Sequence, residues 1–130
     1  MVLLNAKRKT TINGKIYAQG LDGSFPTTTP ARGAGGGSGG IIYVQTSLLE
    51  GDGTIKVDGG KGSSPGGGGG AGGAFYLVLK HFQERSSYPN CTKNWTNGDP
   101  IIIGGEGGYP REGVDWGGDG DQGFIVSTPC

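Results

Sequence analysis

A glycine-rich motif recurs along this chain and limits the folds that the chain can adopt. The stretch GGGSGGIIYVQ, residues 35–45, matches GGGAGGAFYLV, residues 68–78, at an offset of 33, so that Tyr43 aligns with Tyr76. A weaker copy, GGDGDQGFIV, ends at Val126. Each glycine tract leads directly into a short apolar stretch, which a flexible linker would not explain. Repeats of this length are typical of solenoid proteins.

A second motif alternates with the first. INGKIYAQG, residues 12–20, aligns with GDGTIKVDGG, residues 51–60, at an offset of 39, which places Ile16 opposite Ile55. A fainter copy, PIIIGGEGG, places its glycine pair 45 positions after Gly59 and Gly60. The chain therefore alternates strand, glycine loop and strand three times.

The apolar stretches are predicted to be β-strands because they are short, rich in β-branched and aromatic residues, and bounded by glycine. Residues 41–45 and 74–79 are almost continuously apolar, so we expect both of their faces to be buried. In residues 54–58 polar and apolar residues alternate instead. The best helix candidate, residues 75–85, has no capping residue before it. The predicted fold class is all-β.

The glycines are predicted to serve packing. Gly39-Gly40 and Gly72-Gly73 precede the strands at equivalent positions, where either a positive φ or a close approach of backbones would exclude a Cβ. The tract 65–70 is predicted to be an extended, polyproline-II-like segment that lies against its equivalents. The alternative is a flexible loop in solvent.

Composition indicates that the chain needs external support. Its 130 residues include 31 glycines and only 32% hydrophobic residues, too few to offset the entropy of ordering the backbone. We expect a stacked neighbour, a disulfide, attached glycan or a longer chain to supply the stabilisation that burial of these few apolar residues does not. The 11 basic and 11 acidic residues balance, so neither nucleic acid nor an anionic membrane is a predicted partner.

Two acceptor triplets and two cysteines favour an extracellular location. Asn90 and Asn94 each begin an N-glycosylation triplet. Cys91 and Cys130 are compatible with one disulfide in an oxidising compartment, or with two unrelated buried thiols. The first residues do not form a signal peptide, and no stretch is long enough to span a membrane. We therefore expect a cell-surface or secreted segment of a longer protein.

Residues 35–44, 51–60 and 66–77, with fainter matches at 12–20 and 101–123, resemble the glycine-rich repeats of very large secreted or cell-surface proteins of microbes. Such repeats look like coils of a right-handed parallel β-helix of the pectin-lyase-like type. The resemblance implies this architecture and an extracellular structural or adhesive setting. It implies no single activity.

The repeat and the resemblance together predict one unit, residues 1–130, folded as a glycine-rich parallel β-helix or β-roll of about three short coils with polyglycine loops. The coils are predicted at approximately 11–46, 51–82 and 100–127. Residues 83–99 depart from the repeat and are predicted to be an insertion. This insertion carries Cys91 and both acceptor triplets, so its simplest interpretation is a protruding, glycosylated loop tied by a disulfide.

An acidic stretch near the end of the chain is a weak candidate for calcium. Oxygen ligands that alternate with glycines suit Ca²⁺, and the stretch partly matches the nonapeptide G-G-x-G-x-D, but Gln122 stands at the decisive aspartate position. The simpler interpretation is a solvated acidic loop, and no cofactor is predicted. The weak calcium candidates are Asp115, Asp119 and Asp121.

Aromatic residues in predicted loops are candidates for glycan contact. These residues are Trp95, Trp116 and Tyr109. The alternative is that each ring packs over bare glycine backbone. His81 is the single histidine, so neither a histidine metal cluster nor a Ser-His-Asp set with a second base is available. An enzyme that hydrolyses a polysaccharide with paired carboxylates needs a substrate groove. Three short coils offer little surface to form the walls of such a groove.

The predicted function is an extracellular structural glycoprotein unit without enzyme activity. Its end strands are expected to pair with further copies or with neighbouring segments of the same protein. It would then form a fibre or one segment of a long surface protein. The alternatives are an adhesin that binds glycans and, less favoured, a polysaccharide-active enzyme. Covalent glycans are the other predicted partners, with no nucleic acid and no membrane span.

Overall fold

A computed structural model describes residues 1–26, 32–80, 92–95, 104–109 and 116–128, with the backbone alone for 92–95. Over these residues the chain is all-β and has no helix, as predicted. The strands are β1 (Val2–Asn5), β2 (Lys9–Thr11), β3 (Lys15–Tyr17), β4 (Ile41–Thr46), β5 (Leu48–Gly51), β6 (Thr54–Lys56), β7 (Ala74–Leu79), β8 (Thr92–Trp95) and β9 (Phe124–Thr128).

The strands form three sheets in which every pairing is parallel. The four-stranded sheet has the order β1-β4-β7-β9, the three-stranded sheet β2-β5-β8, and the two-stranded sheet β3-β6. The chain therefore visits the sheets in the same order each time, first through β1, β2 and β3, then through β4, β5 and β6. We call each such traverse a pass.

The predicted alignments are the observed registers. Tyr43 pairs with Tyr76 at the offset of 33, and Ile16 pairs with Ile55 at the offset of 39. The third copy of the first motif adds β9 to the same sheet, with Phe124 opposite Ala74. Matching residues in the repeats thus mark neighbouring positions on adjacent strands.

Four strands lack a signal in the sequence. β1, β2 and β5 are not bounded by glycine at both ends, and β2 also has the polar sequence KTT. β8 lies inside residues 83–99, which were predicted to be an insertion, yet it pairs with β5. In each case the neighbouring strand supplies the hydrogen-bonding partner, so strand formation does not depend on the local sequence alone.

The core lies on one side of the four-stranded sheet. On that face the side chains of its two central strands, β4 and β7, are fully or almost fully buried, as are apolar residues in or next to the other two sheets, whereas Val2 and Leu4 of β1 are half-buried and Ile125 of β9 is exposed. The buried core residues are Ile12, Ile42, Val44, Leu49, Ile55, Val57, Phe75, Leu77 and Leu79. The prediction that both faces of β4 and β7 are buried is wrong. Tyr43, Gln45, Tyr76 and Val78 point to the opposite face and are only half-buried, because no second layer from the described residues covers that side.

The glycine-rich stretches are not strands but extended segments that bond to one another. We call the ranges 18–26, 32–40, 57–63, 65–73, 104–109 and 116–123 the glycine segments. In one pair of them, the amides of Gly33, Gly36 and Gly39 donate to the carbonyls of Pro65, Gly68 and Ala71 at 2.7–2.8 Å. A period of three residues is that of polyproline II. This period supports the predicted extended conformation over a flexible loop from Gly67 onward, whereas residues 64–66 form a turn with a positive φ at Gly66.

Each pass contains two glycine segments that run in opposite directions, which gives the bundle two layers. One layer contains 18–26, 57–63 and 104–109, and the other contains 32–40, 65–73 and 116–123. Bonds zigzag between the layers, with Gly120 donating to Gly105, Gly105 to Gly70, Gly70 to Gly60, Gly60 to Gly37, and Gly37 to Leu21, at 2.7–2.9 Å. The sequence predicted single extended segments but not this second layer.

Close backbone approach explains the glycines that precede the strands. A Cβ at Gly39 would overlap the carbonyl oxygen of Val57, and a Cβ at Gly73 would overlap that of Gly40. Among the described glycines, positive φ occurs only at Gly51 and Gly66. The sequence left open either a positive φ or a close approach of backbones. At Gly39 and Gly73 the close approach is the correct explanation.

Candidate functional site

Two aromatic side chains predicted to contact glycans meet at one end of the glycine bundle. Tyr109 ends the glycine segment 104–109, and Trp116 begins the segment 116–123. The two segments pair in opposite directions, with the Gly117 amide donating to the Gly108 carbonyl at 2.9 Å. The ring centroids consequently lie 5.2 Å apart, with the planes tilted by 60°. Both residues are about two-thirds exposed, at 65% and 64%.

Backbone hydrogen bonds fix the groups around this pair. The Tyr109 amide donates to Ser64 Oγ at 2.9 Å, and the Tyr109 carbonyl accepts from the Gly66 amide at 3.1 Å. Asp119 Oδ1 accepts from the Gly107 amide at 2.8 Å. One carboxylate oxygen of Asp119 is thus occupied within the protein, and the ring of Tyr109 is attached to a well-bonded backbone.

The rings and two carboxylates line an open groove of about 470 Å³, which we call the aromatic groove. Its polar and aromatic residues are Glu106, Tyr109, Trp116 and Asp119, and the rest of its wall is glycine backbone. This volume lies in the range of small-ligand sites. Aromatic faces beside hydrogen-bond acceptors are chemically suited to a sugar. Residues 110–115, which join the two rings along the chain, lie outside the described residues.

A second groove, of about 620 Å³, is lined by glycines and by polar and charged side chains that already bond within the protein. Lys61 Nζ lies 3.3 Å from Glu106 Oε2, and the Lys61 amide donates to Asp22 Oδ1 at 2.7 Å. Gln19 Nε2 donates to Asp58 Oδ2 at 3.2 Å. These contacts join successive passes, so this groove is better explained by structural pairing than by ligand binding.

An ion pair between β2 and β5 has the same structural character. Lys9 Nζ lies 2.8 Å from Glu50 Oε1, and Thr11 Oγ1 donates to the same oxygen at 3.1 Å. Hydrogen bonds from Lys9 and then from Thr11 hold the pKa of the Glu50 carboxyl below its ordinary value. Ionisation of the Glu50 carboxyl therefore stabilises the folded state relative to the unfolded state.

The weak calcium candidates do not form a described metal site. Asp119 lies in the aromatic groove, Asp121 is exposed, and Asp115 falls outside the described residues. Within the described part of the chain, no group of three or more His, Cys, Asp or Glu side chains could hold a metal ion.

The remaining predicted site residues lie where side chains are not described. Asn94 and Trp95 belong to β8, opposite Glu50 and Gly51. Asn90, Cys91 and Cys130 lie outside the described residues. Glycosylation and the Cys91–Cys130 disulfide therefore stay predictions.

Sequence reasoning missed one surface, the outer face of the four-stranded sheet. Tyr43, Tyr76 and Phe124 form a row across three strands there, with centroids 6.2 Å and 5.7 Å apart. The offset of 33 already aligned the two tyrosines. The expectation that both faces would be buried concealed the fact that this row is accessible.

Comparison with known proteins gives no relative from which a function could be transferred. No protein-family model, no curated protein and no solved structure matches the chain. In the described residues no helix is long and apolar enough to cross a membrane.

Proposed function

We propose that this chain is a unit of an extracellular structural glycoprotein with a parallel β-helical or β-roll architecture. It either stacks into a fibre or forms one segment of a long surface protein. The observation that carries the proposal is the register of successive passes, in which strands of all three sheets and the glycine segments pair with their counterparts in the next pass.

Such in-register passes support a structural role because each pass is stabilised mainly by the passes next to it. Among the described strands, β1 and β9 each have a neighbour on one side only. Unpaired amide and carbonyl groups on a sheet edge can accept a further strand. The same pattern can therefore be extended by additional passes, as in a fibre or a long repeat protein.

The extracellular part of the proposal rests on the sequence. Asn90 and Asn94 are acceptor residues for N-linked glycan, and Cys91 and Cys130 can form one disulfide. Both features stabilise a chain that has few apolar residues, and both require the secretory pathway or an equivalent oxidising compartment.

The test is intact mass spectrometry of protein from its native source, under non-reducing conditions, before and after glycosidase treatment. Electron microscopy of the same sample reports on fibres. We expect glycan mass that the glycosidase removes, a mass deficit corresponding to one disulfide, and regular fibres or an elongated parent protein. A bare, reduced, monodisperse monomer would contradict the proposal.

The aromatic groove favours a second candidate function, an adhesin that binds glycans. Trp116→Ala should then abolish binding to a neutral oligosaccharide array, whereas Tyr17→Ala, an exposed tyrosine on the two-stranded sheet, should leave binding unchanged. Unchanged binding in Trp116→Ala would exclude the groove as a glycan site. The less favoured enzyme alternative requires product release from polysaccharides that is lost in Asp119→Asn.

A further inference from the structure

The outer face of the four-stranded sheet, defined by the side chains of β1, β4, β7 and β9 that point away from the core, has no charged side chain within those strands, although the exposed Lys80 directly follows β7 at its margin. The register assigns its members by alternation. They are Leu3, Asn5, Ile41, Tyr43, Gln45, Ala74, Tyr76, Val78, Phe124, Val126 and Thr128. The strands of the other two sheets include Lys9, Lys15, Glu50 and Lys56. We call the uncharged surface the neutral face.

The periphery of the neutral face is apolar and exposed, while its centre is half-buried and, at Ala74, buried. Leu3 is 60% exposed and Phe124 is 53% exposed, while Ile41 and Val126 are each 40% exposed. Isolated apolar residues on a surface are ordinary, but a contiguous apolar patch on one sheet marks an interaction site. Depletion of charge with enrichment of tyrosine and phenylalanine is the composition found at the centre of protein–protein interfaces.

The ring orientations oppose a polysaccharide as the occupant of this face. Tyr76 is tilted by 35° from Tyr43 and by 88° from Phe124, so the three rings do not share a plane. A sugar chain that stacks along a row of rings needs their flat faces side by side. Rings set at an angle instead leave gaps and ridges into which protein side chains can interdigitate.

We propose that the neutral face is the contact surface of a two-fold symmetric dimer of this chain. In a two-fold interface the same patch is present on both copies. A charged face would therefore place like charges near one another, at a cost in free energy. The neutral face avoids this repulsion and can pack on a second copy as two sheets pack in a β-sandwich, about 10 Å apart.

The size of the face predicts a weak dimer. Four strands about 4.8 Å apart and five residues long, at about 3.3 Å per residue, give a projected area of about 300 Å² per copy. Stable complexes bury about 800 Å² of accessible surface per partner. The dimer should therefore form at high protein concentration only. The proposal concerns the isolated chain and does not depend on glycosylation, export or fibre formation.

The experiment is sedimentation velocity of the 130-residue chain over a wide concentration range. We expect a monomer that converts to a dimer. Tyr76→Glu should raise the dissociation constant at least about tenfold, because each copy would bury a carboxylate opposite its partner. Leu3→Glu, at a more exposed position, tests the same face if Tyr76→Glu does not fold. Tyr17→Glu is the matched control on another sheet and should dimerise normally.

Ionic strength provides an independent readout. A dimer held by an uncharged face should persist as sodium chloride is raised and should strengthen in sulfate, which favours burial of apolar surface. A monomer at every concentration would overturn the proposal, as would a dimer that neither Tyr76→Glu nor Leu3→Glu weakens. Binding to a neutral polysaccharide that is lost in Tyr76→Glu, without dimerisation, would reassign the face to glycan.

Discussion

At the scale of single residues, the glycine bundle depends on which backbone atoms lie near each glycine. A Cβ at Gly70 would overlap the Gly37 carbonyl, and a Cβ at Gly105 would overlap that of Gly60. Glycine therefore stands at positions of these segments where a neighbouring carbonyl lies too close for a Cβ.

Two glycines of one segment test this explanation. Gly120→Ala places a Cβ on the Gly70 carbonyl and should lower the free energy of unfolding by about 1–3 kcal/mol or more. Gly118→Ala meets no atom within 4 Å and should be neutral or stabilising by up to about 1 kcal/mol. Chemical denaturation of both variants measures the difference. Equal effects would show that the bundle is not closely packed at Gly120.

The Glu50 carboxylate gives a prediction about pH. Its folded-state pKa is lowered, so its contribution to stability is present above the unfolded pKa and is lost as the pH falls through the folded pKa. Glu50→Gln should reduce stability at neutral pH. The difference from the native chain should shrink as the pH falls below the ordinary carboxyl range of about 4. Denaturation at several pH values measures it, with the exposed Asp52→Asn as a control. A difference that does not depend on pH would contradict the assignment.

At the scale of elements, strands and glycine segments satisfy their backbone groups in different ways. Strands pair within a sheet, and each glycine segment bonds to segments in its own layer and in the other layer. Unlike an isolated polyproline-II helix, whose backbone is solvated, these segments bond to one another, and 57–63, 65–73 and 104–109 contain buried residues. Ordered hydrogen bonds are thus expected in sequence that composition alone would assign to a flexible linker.

Amide hydrogen exchange within the segment 32–40 tests this order. The amides of Gly36 and Gly39 donate to carbonyls at 2.8 Å, whereas the amides of Gly35 and Ser38 have no partner among the described residues. Exchange measured by NMR should be slower at Gly36 and Gly39. Uniformly fast exchange at all four positions would restore the flexible-loop interpretation.

At the scale of the whole molecule, three parallel sheets and two glycine layers enclose one narrow core. The chain has few apolar residues, so contacts between passes have a large share in its stability. The neutral face and the edges of the sheets are the two surfaces through which we propose that copies associate.

Association linked to folding predicts that thermal stability depends on concentration. If only the folded chain dimerises, the unfolding midpoint should rise with protein concentration. In Tyr76→Glu the midpoint should not depend on concentration, while Tyr17→Glu should behave as the native chain does. Differential scanning calorimetry over a range of concentrations measures this. A concentration-independent midpoint in the native chain would count against dimerisation at the concentrations used.

Much of the fold could be predicted because the chain repeats itself. The offset of 33 between Tyr43 and Tyr76 and the offset of 39 between Ile16 and Ile55 are the observed registers. A repeated spacing records which residues are neighbours on adjacent strands, so non-local contacts leave a trace in the sequence. For the candidate site, the residue types were predicted, but the adjacency of Tyr109 and Trp116 was not.

The sequence by itself determined the all-β class, the main strand registers and the extended glycine segments, because all three follow from repetition and from the absence of side chains. Only the tertiary structure decided the polar strands β2 and β8, the second glycine layer and the neutral face. Each of these depends on which backbone or surface lies opposite a segment in space. A segment with the sequence KTT becomes a strand when a neighbouring strand pairs with it, and a row of tyrosines remains accessible when no second layer packs on it.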